Sequence, residues 1–379
     1  MSRRGGRAGE EHDQVRETGP LDRVAGAHDA AVLAVARRGE PVARTGLAEE
    51  LQVTPQAISK ILARLMERGL MAEAGSYSAG PGKPTTLYRI VPGSRRALGL
   101  HLTRSRVHGV VTDLTGEVLE RRTDEIDPGL PVPALVDALA ASARELAGHG
   151  EGELLGLGVG TPGPVDPVEG VLHGSSPADV WSGAGIRDLL LAALDMPVLV
   201  DHDSRAALVG ESWSQPGLLD DAALVLAEDG LGAALRLGAA IVHGAHARAG
   251  EVGHTVVRMG GRPCPCGRRG CAEAEFLGAL AEGDDAAAAE VLATVVLNLV
   301  RLVDVDRVVL GGRSLYTHHA VMMDTIRAAL EEGLRAGARV HVEVLLSTRG
   351  VDLIAAGAAC EVLEHEYGLP TALVGPGAG

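Results

Sequence analysis

The chain has 379 residues, 22% charged and 46% hydrophobic, which excludes wholesale disorder and leaves room for two or three domains. No apolar run of about 18 residues avoids charge, so no membrane span is expected, and Met1–Glu11 lacks the apolar stretch of a secretory signal. Four cysteines, three of them between Cys264 and Cys271, exclude a disulfide-built fold and point to a reducing cytoplasm, while 2% aromatics argue against binding nucleic acid by base stacking.

The formal charge of −15 is spread unevenly: residues 1–92 carry 13 basic and 11 acidic side chains, leaving 22 against 39 in the rest. An acidic body repels a polyanion, so any DNA contact is expected from residues 1–92, which also hold both lysines, Lys60 and Lys83.

Residues 1–24 are rich in Arg, Glu and Gly without periodicity and read as a mobile tail. A helix is expected over about Ala25–Arg38, burying Val32, Leu33 and Val35, and a second over Val42–Leu51. The third opens on Thr54 as N-cap and Pro55 at its first position; Ile58, Ile61, Leu62, Leu65 and Met66 fall on its inner face. Gln56, Ser59, Lys60 and Arg64 are left outside, the first two suited to base edges and the others to phosphates. Strands over Leu70–Ala74 and Thr85–Val91 flank a glycine-rich turn with Lys83 at its tip. Together residues 25–92 read as a winged helix-turn-helix contacting double-stranded DNA through Thr54, Gln56, Ser59, Lys60, Arg64 and Lys83. A small helical interaction domain is the alternative, and the basic hairpin counts against it.

From Arg95 strands and helices alternate. Strands are expected at Ala97–Thr103, Val107–Asp113, Leu155–Gly160, Val198–Val200, Ala222–Leu226, Ala233–Arg236 and Arg307–Leu310. Helices are expected at Pro133–Ala147, Ile186–Leu194, Arg205–Trp213, Ala286–Val303, Ala320–Gly337 and Val351–Tyr367. A hairpin-like strand pair opens each half, which suggests two related lobes with a cleft between them. In Cys264-x-Cys266-x4-Cys271, with His254 upstream, three thiolates and one imidazole make a closed tetrahedral shell for a structural zinc. Buried, unligated cysteines are the other reading of that spacing, and Cys360 reads as a core residue.

Four stretches carry a family resemblance: Gly160-Thr-Pro-Gly-Pro-Val-Asp166, Val200-Asp-His-Asp203, Ala249-Gly-Glu-Val-Gly-His254 and Cys264-Pro-Cys-Gly-Arg-Arg-Gly-Cys-Ala-Glu273. From Ala27 to about Tyr367 the chain resembles the ROK family of sugar kinases and repressors. The resemblance implies an α/β, two-lobed, actin-like (RNase H-like) sugar-kinase fold behind the winged helix. Residues 95–201 plus 351–367 would form the first lobe and 202–350 the second, with the zinc site. It also assigns zinc to the cysteine cluster and places a sugar effector between the lobes. His202, Asp203, Glu251, His254 and Glu273 would read its hydroxyls, Gly163 and Ser176 would line the facing loop, and His254 would serve metal and sugar alike.

The chain departs from the family at His202, where Asn is usual, and at Arg205, where a small polar residue is common; either would alter the pocket. The family's first phosphate turn, Asp-x-Gly-Gly-Thr, reads here as His101-Leu102-Thr103-Arg104-Ser105, and the second, Gly-Thr-Gly-x-Gly, as Glu228-Asp229-Gly230-Leu231-Gly232. Repulsion between the two carboxylates and an incoming phosphate is expected to exclude ATP. Asp203, the family's general-base position, would then be vestigial. The expected protein is a cytoplasmic, sugar-responsive transcriptional repressor rather than an enzyme, acting as a homodimer or homotetramer. An ATP-dependent sugar kinase and a regulator that has lost sugar binding are the alternatives.

Overall fold

The computed structural model describes residues 20–78, 84–173, 180–334 and 341–368. It opens with α1 (Pro20–Ala36), β1 (Val42–Ala43), α2 (Arg44–Glu50), α3 (Pro55–Glu67), β2 (Met71–Tyr77) and β3 (Thr85–Ile90). The expected N-cap forms, with Ala57 N donating to Thr54 Oγ1 at 3.2 Å. Ile58, Ile61, Leu62 and Leu65 of α3 pack against Val32 and Leu33 of α1 and Leu47 of α2. The three strands form one antiparallel sheet in the order β1-β3-β2.

Several expectations need correction here. The first helix starts at Pro20, so residues 20–24 are helix rather than tail, and 1–19 lie outside the described residues. Val42 does not start a helix, because it pairs with Tyr88 in the sheet. Met66, expected inside, is 37% exposed. Lys83, at the hairpin tip, lies outside the described residues.

The first lobe contains β4 (Arg95–Leu102), β5 (Arg106–Asp113), β6 (Val118–Glu125), α4 (Val132–Ala147), β7 (Glu153–Thr161), β8 (Val165–Asp166), β9 (Val171–Leu172), α5 (Ile186–Leu194) and β10 (Val198–His202). Helix α6 (Asp203–Ser214) leads to the second lobe. There follow β11 (Ala222–Ala227), β12 (Leu231–Leu237), β13 (Ala240–Ile241), α7 (Ala272–Ala281), α8 (Asp285–Val303), β14 (Arg307–Gly311), α9 (Arg313–Gly333), β15 (Glu343–Leu346) and α10 (Leu353–Tyr367).

The two main sheets run β6-β5-β4-β7-β10 and β13-β12-β11-β14-β15. In each, an antiparallel meander of three strands is extended by two parallel strands on the other side of its first strand. This repeated order defines a two-lobed, actin-like α/β fold. Strand β6 escaped the sequence reading because it is an edge strand whose Glu120–Glu125 side chains are largely solvated, with no apolar face to signal it. Helix α7 was hidden because it starts directly on the last cysteine of the cluster. Helix α9 begins seven residues before the expected Ala320, directly after Gly312.

By length and composition α8 is apolar enough to cross a membrane, although Glu290 and Arg301 interrupt its apolar run. Its side chains Ala288, Leu292, Val296, Leu299 and Val300 are instead buried in the core of the second lobe, against β11, β14 and α9.

Helix α6 is buried from Asp203 to Trp213, and α10 is nearly so. The two cross between the lobes, where Gly210 and Gly357 meet backbone to backbone. A Cβ on Gly357 would lie 2.1 Å from the Ala206 carbonyl oxygen, so no larger residue fits without parting the helices. The far ends of both helices support the N-terminal unit. Arg37 stacks over the Trp213 ring, its Cζ 3.4 Å from the centroid, and its Nε donates to Trp213 O at 3.2 Å. Arg95 Nε donates to Tyr367 Oη at 2.9 Å, while its Nη2 reaches Arg68 O. Val32, Leu33, Trp213, Cys360 and Tyr367 thereby share one apolar cluster. Substitution of Gly357 by Ala should lower stability by about 1–3 kcal/mol. The measurement is the urea midpoint, which should fall with an unchanged slope.

Candidate functional site

The Gly253–Cys271 segment brings His254, Cys264, Cys266 and Cys271 together, with all four donor atoms within 4.8 Å of one another. Cys266 Sγ lies 3.6 Å from Cys271 Sγ, and Cys264 Sγ lies 3.6 Å from His254 Nδ1. Metal–sulfur and metal–nitrogen bonds of about 2.3 and 2.0 Å in a tetrahedron give edges of about 3.8 and 3.5 Å, so the four donors are spaced to hold a metal ion. The thiols also differ in acidity. The Arg268 N–H pulls Cys266 down to about 6, while burial and the neighbouring sulfurs push Cys271 up to about 12. Three sulfurs packed this closely resist carrying three negative charges until a cation shares them.

Beside this cluster a cleft of about 600 Å³ opens between the lobes. It brings together Gly163, His202, Asp203, Glu251, His254 and Glu273, six of the seven effector residues expected from sequence. The seventh, Ser176, lies outside the described residues. Glu251 stands at the start of a 3₁₀ turn over Val252–His254, and its carboxylate has no hydrogen-bond partner among the described residues. One oxygen of Glu273 accepts from Leu231 N at 3.0 Å, so this side chain also braces the Glu228–Gly232 turn. His254 turns Nδ1 toward Cys264 and lines the cleft as well.

His202 and Asp203 form an ion pair at the floor, Nδ1 to Oδ1 at 2.9 Å. Burial opposes the charged imidazole, but the Asp203 carboxylate outweighs it and raises His202 above its ordinary 6.5. Burial likewise opposes the Asp203 carboxylate, and His202 in turn holds it below the usual aspartate range. His202 Nδ1 also meets Ser204 Oγ at 2.8 Å, which leaves Nε2 without a protein partner among the described residues. Arg205 does not alter the cleft as expected. It is 1% exposed and turns inward, where its Nε donates to Asp201 Oδ1 at 2.6 Å and its Nη1 to Ala247 O at 3.2 Å.

The Glu228–Gly232 turn corrects the expectation of unrelieved like-charge repulsion. Arg313, the first residue of α9, donates its backbone N–H to Glu228 Oε2 at 2.7 Å. Its guanidinium bonds Glu228 Oε1 at 2.8 Å and Asp229 Oδ1 at 3.1 Å. Both carboxylates are therefore paired, and the partly positive N-terminus of α9 already faces an anion. Sequence reading missed Arg313 because it belongs to neither turn; the Gly311-Gly312-Arg313 junction of strand and helix was the available signal. It gave His101 no role beyond replacing the Asp of the first phosphate turn; this side chain lines the cleft, is buried, and is lowered below the ordinary histidine value by desolvation.

In the N-terminal unit Gln56 and Lys60 are exposed on α3 as expected. Thr54 is committed as the cap. Ser59 Oγ donates to Pro55 O at 2.8 Å and accepts from Arg44 Nη1 at 3.3 Å, bringing Arg44, which sequence reading passed over, to the same face. Arg64 was expected to be free for phosphate, yet it is held in a two-armed pair with Asp29 of α1, Nε to Oδ2 at 3.1 Å. An Asp seven residues before the end of α1 gave no sign in sequence that it would face α3.

This two-lobed, actin-like fold with a cysteine cluster beside its cleft has known relatives. Residues 97–282 match the ROK family. The chain therefore carries a ROK family domain. It is 24% identical over 237 residues to the xylose repressor of Caldicellulosiruptor bescii, an overlap of 61% of this chain and 59% of that one. The chain thus aligns with about three-fifths of that relative's length. A ROK family transcriptional regulator described as a homologue of the E. coli MLC protein superposes with a TM-score of 0.70 at 19% identity, covering 93% of this chain and 99% of that one. A ROK family glucokinase from Streptomyces griseus, solved with glucose and AMPPNP, superposes with a TM-score of 0.60 at 23% identity, covering 70% and 98%.

The His202–Asp203 pair generates a direct prediction. Its contribution to stability is full below the unfolded histidine value near 6.5 and is lost as pH rises through the raised folded value. On the acid side it is lost as pH falls through the depressed value of Asp203. An NMR titration of the His202 ring should show a midpoint above 6.5 in the wild type. In Asp203→Asn burial and the Arg205 guanidinium are opposed only by the Glu251 carboxylate, and the midpoint should drop below that value.

Proposed function

We propose that this protein is a sugar-responsive, DNA-binding transcriptional regulator, a repressor whose kinase-derived lobes sense a ligand without phosphorylating it. One observation carries the reading: hydroxyl-reading side chains converge on the cleft, while the turn that a kinase needs for phosphate is occupied by acids tied to Arg313. A phosphate approaching the α9 N-terminus would have to displace Glu228 from its N–H and its guanidinium. Asp203 is ill suited to general-base work, since a base functions best with a value near neutrality and His202 depresses it. The xylose repressor relative supports the same reading by its name. A kinase reading draws on the likeness of the fold to glucokinase and on 168 residues, 42% of this chain, that are 33% identical to the glucokinase of Halalkalibacterium halodurans.

The sugar would be read by Glu251, His254 Nε2, Asp203 and the free oxygen of Glu273, each able to bridge neighbouring hydroxyls, with His202 Nε2 in place of the usual amide. Two of these groups, Glu251 and His202 Nε2, have no hydrogen-bond partner among the described residues, which favours a working pocket over one that has lost its ligand. Zinc suits the three-sulfur, one-nitrogen donor set, and as a closed shell it would be structural: it would fix the ring of His254 and so orient Nε2 toward the ligand. The free thiols suit a reducing cytoplasm.

DNA would be bound by the N-terminal unit as a winged helix-turn-helix. Gln56 would read base edges, and Lys60 with Arg44 would meet phosphates; the assignment of Lys83 to the wing is retained from sequence. Two half-sites on an operator call for at least a dimer. The signal has a physical route through α6, whose first residue lies on the cleft floor and whose Trp213 supports Arg37.

The test is fluorescence anisotropy on DNA from upstream of the protein's own gene, with xylose, glucose and N-acetylglucosamine added in turn. At least one sugar should change operator affinity by about tenfold or more, a coupling of about 1.4 kcal/mol. Glu251→Ala should abolish that change and leave affinity without sugar within about twofold, because a charge-assisted bond of about 1.5–3 kcal/mol is lost only at the sugar. ATP-dependent phosphorylation of any of these sugars, or specific DNA binding by residues 93–379 alone, would overturn the reading.

A further inference from the structure

His101 stands near the end of β4, where its ring lines the cleft although only 5% of the residue is exposed. Neither ring nitrogen has a hydrogen-bond partner among the described residues. Its neighbours in the sheet supply none. On β5 it lies opposite His108, whose Nδ1 meets Thr123 Oγ1 at 2.8 Å and whose Nε2 meets Asp352 Oδ1 at 2.9 Å. On β7 it lies opposite Gly160, which has no side chain to offer. A buried polar ring in this condition is costly unless a ligand completes it.

The charged groups around the ring are Asp203 of α6 and Glu228 and Asp229 of the β11–β12 turn, with His108 beside it. Glu228 and Asp229 are occupied by Arg313. Asp203 is ionised, and a carboxylate can only accept. Desolvation outweighs these carboxylates and keeps His101 neutral at neutral pH, so the ring carries one N–H donor and one acceptor nitrogen. The backbone of the adjoining turn is closed on itself: Arg106 N donates to Thr103 Oγ1 at 3.0 Å, and Thr103 N to Arg106 O at 2.8 Å. A ligand hydroxyl that gives its proton to Asp203 keeps its lone pairs, and the His101 N–H is the donor left to meet them.

We infer that His101 is a specificity-determining residue of the effector cleft: its imidazole donates to the same sugar hydroxyl that donates to Asp203, so this hydroxyl must be present and unsubstituted. The inference rests on the sugar reading of the cleft. A site built to hydrogen-bond a hydroxyl rejects the analogue that lacks it, because both buried partners are then left unpaired.

The test is calorimetry on the full-length protein with glucose, xylose and N-acetylglucosamine, then with the monodeoxy analogues of whichever binds most tightly. In His101→Leu affinity for that sugar should fall about tenfold or more. The urea midpoint should hold or rise, because an apolar side chain replaces a polar ring without a partner. His101→Gln, which keeps a donor and an acceptor, should lose less. One deoxy analogue should carry a penalty about fivefold or more larger in the wild type than in His101→Leu, and Asp203→Ala should single out the same analogue. The His101 ring nitrogens should also shift in the NMR spectrum when sugar is added, a readout that requires no variant. If a sugar binds and His101→Leu binds it as tightly as the wild type, whatever its midpoint, or if every deoxy analogue loses the same factor in both proteins, the role of His101 is refuted while the sugar reading stands. If none of the three sugars binds, both fall together.

Discussion

Helix α6 is the constraint on which the rest of the structure depends. Its first residue, Asp203, lies on the cleft floor in an ion pair with His202, and its last turn carries Trp213 beneath Arg37 of the N-terminal unit. Twelve helical residues span about 18 Å, and every side chain from Asp203 to Trp213 is buried. A helix packed on all sides cannot bend locally to absorb a shift at one end, so movement at the floor is delivered to the other. The glycine contact with α10 sets how close the two helices lie, and α10 itself ends on Tyr367, the second support of the N-terminal unit.

The chemistry of the cleft follows from which groups are satisfied by the protein and which are not. Glu228 and Asp229 are paired with Arg313, and Asp201 is paired with Arg205, so these charges are internal structure. Glu251 and His202 Nε2 are half-buried, line the cleft and have no hydrogen-bond partner among the described residues. Half-buried polar groups without partners are costly, and the proposed sugar would complete these two. The same comparison favours the proposed regulator over a kinase: the groups proposed to read a sugar are open for hydrogen bonding, while the Glu228–Gly232 turn is occupied by carboxylates paired with Arg313.

The motifs and the strongly periodic elements were legible in sequence. Thr54-Pro55 announced α3, alternating apolar runs announced the central strands of both lobes, and the Cys264–Cys271 spacing with His254 announced a cluster that does assemble. Less legible were features settled by tertiary partners. Arg64 and Arg205 look alike in sequence, as exposed cations near a motif; Asp29 draws the first onto α1 and Asp201 draws the second into the interior. Strand β6 has a solvated edge without an apolar face, and α7 has no start signal apart from a cysteine.

The central claim is that the cleft and the N-terminal unit form one coupled system through α6 and its contact with Arg37. Linkage makes this directly measurable, because coupled binding sites must affect one another by the same factor. The decisive measurement is calorimetric affinity for the active sugar with and without saturating operator DNA, in the wild type and in Arg37→Ala. The wild type should show operator changing sugar affinity by the factor with which sugar changes operator affinity, and in Arg37→Ala that factor should fall toward one while sugar affinity in the absence of DNA is kept. An undiminished factor in Arg37→Ala would contradict the account, since the signal would then bypass α6.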